Sequence, residues 1–442
     1  MYDNLKGKKV YIYTLGCKVN QYESDAMYER LEKYGCISVI GSDESGPESV
    51  PDICIINTCS VTNMADKKSR QIISRMRKHN PDAVIIATGC YVQAAAEDIE
   101  KAGVADLIIG NNRKSECARI ISEYLAEHRA SDNFIDINKD SEYDDLLLHM
   151  PEGHTRAYIK IQDGCNNFCT YCIIPYVRGR IRSRKLPDVV SEIEGIVASG
   201  VKEVVITGIN LSAYDDADAG ATLIDVICAV SKIPGLERIR LGSLEPRVIT
   251  DEFLTAVSAL PNFCPHFHLS LQSACNTTLK NMNRHYTIEE FIGVCDKIRQ
   301  YFDRPALTTD VIVGFPGETD EDFDITYKNL EKINFYEMHV FKYSRRKGTV
   351  ADKMPNQIPE QIKNQRSDRL LLLSEKNKKS FEESFSAEPL NVLIEEKITL
   401  DGKDYFRGHT ERYMLIDIPA EYIAEHYPEP NDPINKICRF IP

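Results

Sequence analysis

The stretch Ala157-Tyr-Ile-Lys-Ile-Gln-Asp-Gly-Cys-Asn-Asn-Phe-Cys-Thr-Tyr-Cys172 decides how the rest of the chain is interpreted. Residues 157–161 have the composition of a strand, and three cysteines follow it within a short loop. Cys165, Cys169 and Cys172 form a C-x3-C-x2-C run. Three thiolates hold three of the four irons of a cubane cluster and leave one iron open to a ligand. The run therefore predicts a catalytic iron–sulfur cluster, because a site built only for electron transfer would normally close the fourth position.

Structural zinc is the alternative for this run. A structural zinc site needs four ligands, usually as two C-x2-C pairs or as paired Cys and His. No second pair follows, the next downstream cysteine is Cys228, and His154 lies upstream at no standard zinc spacing. Zinc is therefore disfavoured by the number of ligands available.

The composition is that of a protein built around cores of ordinary size. The chain has 442 residues, enough for two or three domains. It contains no run of eighteen apolar residues and begins without a signal-peptide core, so we expect no membrane span and a cytoplasmic location. Fourteen dispersed cysteines are typical of thiols and metal ligands in a reducing compartment. The net charge of −13 argues against nonspecific nucleic-acid binding, although local basic runs favour an anionic partner.

The first 130 residues alternate strand-length apolar runs with segments of helical periodicity, which predicts a parallel sheet. The runs are 9–14, 53–57, 83–88 and 107–110, and the helical segments are 21–35, 63–79, 92–102 and 112–129. Cys17, Cys59 and Cys90 each follow one of the first three strands. Loops after parallel strands gather at one edge of the sheet, so these cysteines should converge there. Gly16 and Gly89 would permit tight turns beside them.

The convergence predicts a second cluster held by three cysteines. A single cysteine at a strand end is usually a small buried hydrophobe, and three at equivalent positions favour a metal site instead. Cys36, Cys54 and Cys117 lack this placement and are interpreted as packing residues. Nucleotide binding is disfavoured, because the chain has neither G-x-G-x-x-G nor G-x4-G-K-[ST].

From residue 156 the alternation resumes, and six further strand-length runs are separated by helical segments. The runs are 157–161, 203–207, 238–242, 266–271, 309–314 and 338–343, and the helical segments are 187–199, 222–232, 249–259, 287–301 and 319–332. Six such units predict a partial TIM-like barrel, with chemistry at the carboxyl ends of its strands. A charged helical segment at 359–384 precedes four short strand-like runs, which fit a small barrel of the kind that binds oligonucleotides.

We therefore predict an α/β multidomain protein. An N-terminal open parallel α/β sheet occupies 1–135 and carries the second cluster, and 136–153 form a linker. A central partial TIM-like (β/α)6 barrel occupies 154–375, and a small C-terminal β-barrel occupies 376–442.

Together these features resemble the radical S-adenosylmethionine methylthiotransferases over essentially the whole chain. That family has an N-terminal domain with three cluster cysteines, a radical S-adenosylmethionine core and a C-terminal TRAM domain. The motifs that carry the resemblance are Thr14-Leu-Gly-Cys-Lys-Val-Asn-Gln-Tyr-Glu-Ser24, Asn57-Thr-Cys-Ser-Val-Thr62, Gly89-Cys-Tyr91, the triple-cysteine loop, Val177-Arg-Gly-Arg-Ile-Arg-Ser-Arg184, Ser243-Leu-Glu-Pro246, Leu269-Ser-Leu-Gln-Ser273 and Val313-Gly-Phe-Pro-Gly-Glu-Thr319.

The resemblance implies a reaction that replaces the C–H bond at C2 of a modified adenine with C–S–CH3. By resemblance, Cys165, Cys169 and Cys172 hold a 4Fe–4S cluster that reduces S-adenosylmethionine to a radical. Cys17, Cys59 and Cys90 hold an auxiliary 4Fe–4S cluster that carries the sulfur, and a second S-adenosylmethionine gives the methyl group. The implied partners are the anticodon stem-loop of tRNA, an electron donor such as flavodoxin or ferredoxin, and a sulfur source.

Three branches of the family act on different substrates. The sequence after Gly16 resembles the branch that modifies N6-threonylcarbamoyladenosine next to the anticodon. The isopentenyladenosine branch usually has Gln-Met-Asn after the first cysteine, and the branch that modifies an aspartate of a ribosomal protein has a different Lys-Asn sequence. Both stay open as alternatives, as does a non-enzymatic RNA-binding protein stabilised by zinc.

Further site residues are predicted from position and resemblance. Strand ends and turns predict contacts to S-adenosylmethionine at Tyr171, Gly208, Asn210, Ser243, Glu245, Gln272, Val313, Gly314 and Phe315. Basic residues predict contacts to RNA at Arg178, Arg180, Arg182, Arg184, Lys185, Arg407 and Arg412. His266 and His268 alternate along one strand and share a face, and packing or hydrogen bonding is favoured over metal ligation for them.

Overall fold

The structure, a computed structural model, describes residues 2–42, 46–128, 137–138, 142–148, 155–427 and 432–442. The N-terminal region is a parallel sheet covered by helices on both faces. Its elements are β1 (Lys9–Thr14), α1 (Lys18–Lys33), β2 (Ile37–Ser38), β3 (Gly41–Ser42), β4 (Gly46–Pro47), β5 (Ile53–Thr58), α2 (Asn63–His79), β6 (Val84–Gly89), α3 (Cys90–Ala102), β7 (Leu107–Ile109) and α4 (Cys117–Glu127).

The strand order of this sheet creates a natural ligand-binding edge. Five parallel strands pair in the order β2-β1-β5-β6-β7, while β3 and β4 form a separate short hairpin. The order reverses direction between β1 and β5, and in open α/β sheets ligands bind at the carboxyl ends of strands beside such a switch point. Every residue of β5 is buried, as expected of a central parallel strand covered on both faces. The predicted parallel sheet is thus confirmed.

The central region continues the alternation with longer strands. Its elements are β8 (Arg156–Asp163), α5 (Ile174–Val177), β9 (Arg182–Ser183), α6 (Leu186–Ala198), β10 (Glu203–Gly208), β11 (Asp215–Asp216), β12 (Ala221–Thr222), α7 (Leu223–Val230), β13 (Arg238–Leu241), α8 (Asp251–Ser258), β14 (His266–Gln272), α9 (Asn276–Asn281), α10 (Ile288–Tyr301), β15 (Ala306–Val313), α11 (Asp320–Ile333) and β16 (Glu337–Lys342).

Six of these strands run parallel in two neighbouring sheets. β8, β10 and β13 pair in one sheet, with short β9 antiparallel at its edge, and β14, β15 and β16 pair in the other. Single parallel bridges at Ile239–Phe263 and Leu244–Leu269 connect the β13 end of the first to the second. The main hydrophobic core includes residues from both central sheets and from α1. The N-terminal and central regions therefore share one core.

The C-terminal region begins with a long helix and ends in an antiparallel sheet. Its elements are α12 (Glu360–Glu383), β17 (Leu390–Leu400), β18 (Lys403–Thr410), β19 (Leu415–Pro419), α13 (Ala420–His426) and β20 (Ile437–Phe440). The four strands pair in the order β19-β18-β17-β20. The four predicted strand-like runs of the tail all form strands of this sheet.

The turn between β18 and β19 packs against the central strands at their amino ends. Arg240 of β13 donates to the carbonyl oxygens of Glu411 and Thr410, at 3.0 and 3.1 Å. The Tyr413 ring stacks on His266, with centroids 5.3 Å apart, and lies 4.8 Å from the Arg240 guanidinium carbon. The tail sheet is therefore anchored to the end of the strands opposite the triple-cysteine loop.

Half of the predicted linker at 136–153 lies outside the described residues. Within its described part, Leu146 and Leu148 are buried in the main core. Asp144 accepts a hydrogen bond from the Lys114 backbone amide at 3.0 Å. Among the described residues, no helix has both the length and the apolar character needed to cross a membrane.

The ionised carboxylate of Glu203 should stabilise the fold, and this contribution should be lost at acidic pH. It is buried, and its carboxylate lies 2.9 Å from Arg240 Nε and 3.2 Å from Arg156 Nε. Burial alone would raise the pKa of Glu203, but Arg240 and Arg156 lower it from 4.5 to about 2. Because the folded-state pKa is the lower one, this contribution is complete above pH 4.5 and is lost as the pH falls towards 2.

We expect the thermal unfolding midpoint of the wild type to fall more steeply than that of Glu203→Gln over this pH range. At neutral pH the variant should be less stable, because Arg240, Arg156 and Arg238 lose a buried anionic partner. Melting curves recorded at several pH values for both proteins test this. Curves that decline in parallel would contradict the assignment.

Candidate functional site

Cys17, Cys59 and Cys90 meet at the carboxyl edge of the N-terminal sheet. Cys17 caps α1 and is exposed, Cys59 follows β5, and Cys90 is the first residue of α3. The thiols are close enough that Cys90 and Cys17 each affect the ionisation of Cys59. Gly16 permits this approach, since a Cβ atom on it would lie 3.0 Å from the Cys59 Cβ. The structure thus places together the three cysteines that the sequence assigned to one site.

Gly89 should be indispensable to this arrangement. Its φ of 97° and ψ of −173° lie in a region that essentially only glycine adopts. A Cβ atom there would lie 2.4 Å from the Thr58 carbonyl oxygen. We expect Gly89→Ala to lower the free energy of unfolding by about 1–3 kcal/mol from backbone strain, and to displace Cys90.

Chemical denaturation and the iron content of the purified protein measure these two effects. Gly195→Ala, within α6 and with open space around the added methyl group, is the control. It should be neutral or stabilising by up to about 1 kcal/mol, because alanine favours a helix interior. A Gly89→Ala protein as stable as Gly195→Ala would contradict the prediction.

Cys165, Cys169 and Cys172 lie together on the loop that leaves β8. The Cys172 amide donates to the Cys169 carbonyl oxygen at 2.9 Å, so the loop turns tightly between the last two cysteines. Burial, together with the neighbouring Cys169 and Cys165, raises the pKa of Cys172 to about 12. A nearby positive centre is therefore needed to hold these sulfurs as thiolates.

Nitrogen donors point at sulfur atoms in both groups of cysteines. Near the loop, Arg284 Nη1 lies 3.3 Å from Cys169 Sγ, and Asn210 Nδ2 lies 3.8 Å from Cys165 Sγ. At the sheet edge, Arg178 Nε lies 3.3 Å from Cys90 Sγ. Hydrogen bonds to cluster sulfurs are a principal means by which a protein adjusts an iron–sulfur centre.

The set of donors fits two iron–sulfur clusters better than a closed zinc site. Each group offers three thiols and N–H donors aimed at sulfur. Within the part of the chain that the structure describes, none of the six cysteines belongs to a set of three ligand atoms within 4.8 Å of one another. Ligands of one ion lie that close, whereas a cubane takes each cysteine on a separate iron.

Two consecutive residues connect the two groups of cysteines. Arg178 contacts Cys90 Sγ, and the carbonyl oxygen of Gly179 accepts a hydrogen bond from the Cys165 amide at 3.1 Å. Arg178 is completely buried, and its Nη1 lies 2.6 Å from Glu23 and 3.2 Å from Asp163. The relative placement of the two sites is therefore fixed by a buried ion-pair network.

Lysine side chains complete this network. Lys160 Nζ lies 2.9 Å from both Glu23 and Asp163, and Lys114 pairs with Glu23. Burial would raise the pKa of Asp163, but Lys160 and Arg178 hold it well below its usual range. Both carboxylates therefore stay ionised in the interior, where three cations, Arg178, Lys160 and Lys114, surround them.

A cavity of about 520 Å³ opens beside the triple-cysteine loop. Cys169, Asn210, Glu245 and Arg284 line it, together with Ser212 and Tyr286. Glu245 is held by Arg284 Nη2 at 2.7 Å. This volume suits a small cofactor, and the mixed polar lining offers groups that can orient one.

The predicted cofactor residues divide into three sets. Asn210 and Glu245 line the cavity. Ser243 is exposed, Gln272 is partly exposed with a φ of 70°, and a Cβ on Gly208 would lie 2.9 Å from Gln162 Cβ. The third set lies at the end of β15 and in the triple-cysteine loop itself. These are Val313 and Phe315, which are buried, Gly314, whose amide donates to Glu318, and Tyr171, which packs edge-on against Phe315.

Three predicted RNA contacts are wrong. The side chains of Arg178, Arg182 and Arg184 are buried. Arg178 bonds Glu23 and Asp163, Arg182 donates to the Arg178 carbonyl oxygen, and Arg184 pairs with Glu192. A guanidinium committed to buried partners is not available to a phosphate.

The other predicted RNA contacts lie closer to the surface. Arg180 and Lys185 are exposed, and the Arg180 guanidinium carbon lies 4.6 Å from the Phe168 ring centre. Arg407 pairs with Asp417 at 2.7 Å, and Arg412 donates to the carbonyl oxygens of Arg304 and Asp303.

Arg284 was missed by sequence reasoning, although it contacts both Cys169 and Glu245. It follows α9 in the segment Asn283-Arg284-His285, which contains no pattern that distinguishes it from a surface turn. Asn283 was missed for the same reason, and its amide donates to the Asn167 and Phe168 carbonyl oxygens at 3.2 Å.

Comparisons with known proteins cover almost the whole chain. Residues 159–330 match the Radical SAM superfamily, and residues 9–110 match a family described as uncharacterized protein family UPF0004. The threonylcarbamoyladenosine tRNA methylthiotransferase MtaB of Bacillus subtilis is 37% identical over 409 residues, which are 92% of this chain and 89% of that protein. The tRNA-2-methylthio-N(6)-dimethylallyladenosine synthase of Thermoanaerobacter pseudethanolicus is 36% identical over 404 residues, 88% of this chain and 83% of that protein.

A solved structure agrees on the fold. The radical S-adenosylmethionine methyltransferase TsrM of Kitasatospora setae superposes with a TM-score of 0.56 at 16% identity. The superposition covers 76% of this chain and 73% of TsrM. At this identity the likeness supports the arrangement of strands and helices alone.

Proposed function

The chain belongs to the radical S-adenosylmethionine methylthiotransferase family, and from this membership we propose that it modifies tRNA. The proposed reaction converts N6-threonylcarbamoyladenosine next to the anticodon to its 2-methylthio derivative, a transfer of a sulfur-containing group. The similarity to the Bacillus subtilis threonylcarbamoyladenosine enzyme over 92% of the chain carries the choice of substrate. The second candidate is the isopentenyladenosine substrate, because a synthase of the dimethylallyl derivative is 36% identical.

The six cysteines would hold two 4Fe–4S clusters, with S-adenosylmethionine at the cavity beside Cys169. Bound in this way, the first cluster would relay an electron from the external donor, the second would hold the sulfur from its source, and S-adenosylmethionine would supply the radical and the methyl group. The C2–H bond of adenine is not acidic, so acid–base side chains alone could not open it. Cys165, Cys169 and Cys172 serve the first cluster, and Cys17, Cys59 and Cys90 serve the second.

The task of the remaining residues is to hold the reacting groups in place. Arg284 fixes Glu245 at the wall of the cavity and donates to Cys169. Arg178 and Gly179 hold the triple-cysteine loop against the sheet edge that carries Cys17, Cys59 and Cys90. Such fixed placement can lower the reaction barrier by several kcal/mol, because the reacting atoms are already held in position.

The proposed tRNA surface lies around Arg180. Arg180, Phe168 and the exposed ring of Tyr176 form a patch of one cation and two aromatic rings beside the triple-cysteine loop. Such a patch suits a stacked base and a phosphate. Lys185 and the tail residues Arg407 and Arg412 are further proposed contacts. An electron donor such as flavodoxin or ferredoxin and a separate sulfur source complete the proposal, with a cytoplasmic location where tRNA is found.

The finer architecture follows from the same family. We propose that the six central parallel strands form the open (β/α)6 barrel of radical S-adenosylmethionine enzymes within 154–375. The antiparallel sheet within 376–442 would be a TRAM domain, and 1–135 the methylthiotransferase domain.

Nucleoside analysis of tRNA tests the substrate. Purified enzyme with assembled clusters, S-adenosylmethionine and a reductant is incubated with tRNA that carries N6-threonylcarbamoyladenosine but no methylthio group. Mass spectrometry of the digested tRNA should show the 2-methylthio derivative appear with turnover. The matched control is tRNA that carries isopentenyladenosine. Modification of that control alone, or of neither tRNA, would overturn the assignment.

A further inference from the structure

Three metal-ligating side chains that belong to neither group of cysteines meet on neighbouring strands. They are His268 of β14, Asp310 of β15 and His339 of β16. His268 Nε2 lies 3.3 Å from Asp310 Oδ2, and His339 Nδ1 lies 3.2 Å from Asp310 Oδ1. All three ligand atoms lie within 4.8 Å of one another, and no other such group of three occurs among the residues described.

The strand pattern sets this arrangement. Asp310 pairs directly with His339 across the β15–β16 ladder, and His268 pairs with Thr308 across β14–β15. The residues flanking His268, Phe267 and Leu269, point into the main hydrophobic core. Side chains alternate along a strand, so His268 projects from the opposite face, and Asp310 and His339 share it. Ligands on paired strands are held more firmly than ligands on loops.

The chemistry of the group matches a known kind of metal site. Two imidazole nitrogens and one carboxylate oxygen form the 2-His-1-carboxylate set that binds a divalent transition metal and leaves other coordination positions open. A second hydrogen bond supports the first histidine. Thr308 Oγ1 lies 2.9 Å from His268 Nδ1, which directs Nε2 towards Asp310. His339 is about half exposed, at 51%, so an ion can reach the site from solvent.

We propose that His268, Asp310 and His339 form a mononuclear site for a divalent transition metal of the zinc or ferrous-iron class. The site would be separate from the two proposed clusters and does not depend on the proposed tRNA substrate. The competing interpretation is a hydrogen-bonded His–Asp–His cluster that needs no ion. The two differ in one measurable respect, the metal retained by the protein.

Zinc binding by the holoenzyme distinguishes them. Protein with both clusters assembled anaerobically is treated with a mild chelator and dialysed against micromolar zinc. Zinc and iron per chain are then measured together by mass spectrometry. We expect the wild type to retain about one more zinc per chain than Asp310→Asn or His339→Ala, with equal iron in all three. His79→Ala, which removes an exposed histidine at the end of α2, should retain the zinc.

X-ray absorption at the zinc edge gives a second readout that does not depend on the variants folding. The retained zinc should have a shell of nitrogen and oxygen neighbours without sulfur. Because the His339 side chain is half exposed, His339→Ala should fold normally, so a loss of zinc in this variant would not be caused by misfolding. Equal zinc in the wild type and both site variants, or sulfur neighbours around the retained zinc, would overturn the proposal.

Discussion

Replacing Cys59 with alanine should abolish the methylthio product while S-adenosylmethionine is still cleaved to 5′-deoxyadenosine. Cys59 lies with Cys17 and Cys90 at the sheet edge, apart from the triple-cysteine loop that lines the cavity. The two sites should therefore fail separately. The iron content should fall from about eight to about four per chain, since one cubane is lost. Anaerobic assays that quantify both products by mass spectrometry test the prediction.

Cys169→Ala should instead lose both products, because it removes a thiol of the loop beside the cavity. Cys54→Ala is the matched control. Cys54 is buried within β5, five residues before Cys59, and contacts neither group of cysteines in the proposed scheme. It should retain both products and all the iron. Full methylthiolation by Cys59→Ala would contradict the assignment of the second cluster.

Replacing Arg178 with methionine should lower the free energy of unfolding by about 3–5 kcal/mol, the usual cost of breaking a buried ion pair from one side. The guanidinium is completely buried between Glu23 and Asp163 and also donates to Asn20 Oδ1 at 2.6 Å. Its loss leaves two carboxylates in the interior with lysines as their remaining partners. Urea denaturation followed by circular dichroism measures the change.

Arg180→Met is the control for this experiment. It makes the same chemical change two residues along the chain, at an exposed side chain. Surface substitutions of this kind usually change stability by less than about 0.5 kcal/mol. If the two variants unfolded at the same urea concentration, the network around Arg178 would not contribute as described.

The strands, and the placement of cysteines directly after them, could be predicted because each depends on local sequence. All ten strands predicted for the two parallel regions are present, with bounds shifted by up to three residues, and the four predicted tail strands are present with shifts of up to four. The two-residue strands such as β2 and β9 are too short to show any periodicity in the sequence. The convergence of Cys17, Cys59 and Cys90 followed from a general property of parallel sheets rather than from any single residue.

The burial of three arginines of the basic run at 178–185 could not be predicted from the sequence. A dense charge run is usually a solvated surface, and the run contains no acidic residue. The partner Glu23 of Arg178 lies in α1, far away in the sequence, so this ion pair appears only when the two regions pack together. Sequence distance also concealed the group of His268, Asp310 and His339, because each lies on a different strand. The sequence favoured packing or hydrogen bonding for His268 and singled out neither Asp310 nor His339.

The Glu23–Arg178–Asp163 network also bears on how the enzyme would handle its substrate. Many multidomain enzymes assemble their active sites by closing one lobe over another, with hinges between them. Here Glu23 belongs to the first lobe and Asp163 to the second, and a completely buried guanidinium joins them. Separating the two lobes would expose these charges or leave them without partners. The distance between the two cysteine sites is therefore set when the protein folds. A nucleotide that reacts there must then fit the spacing that this network holds.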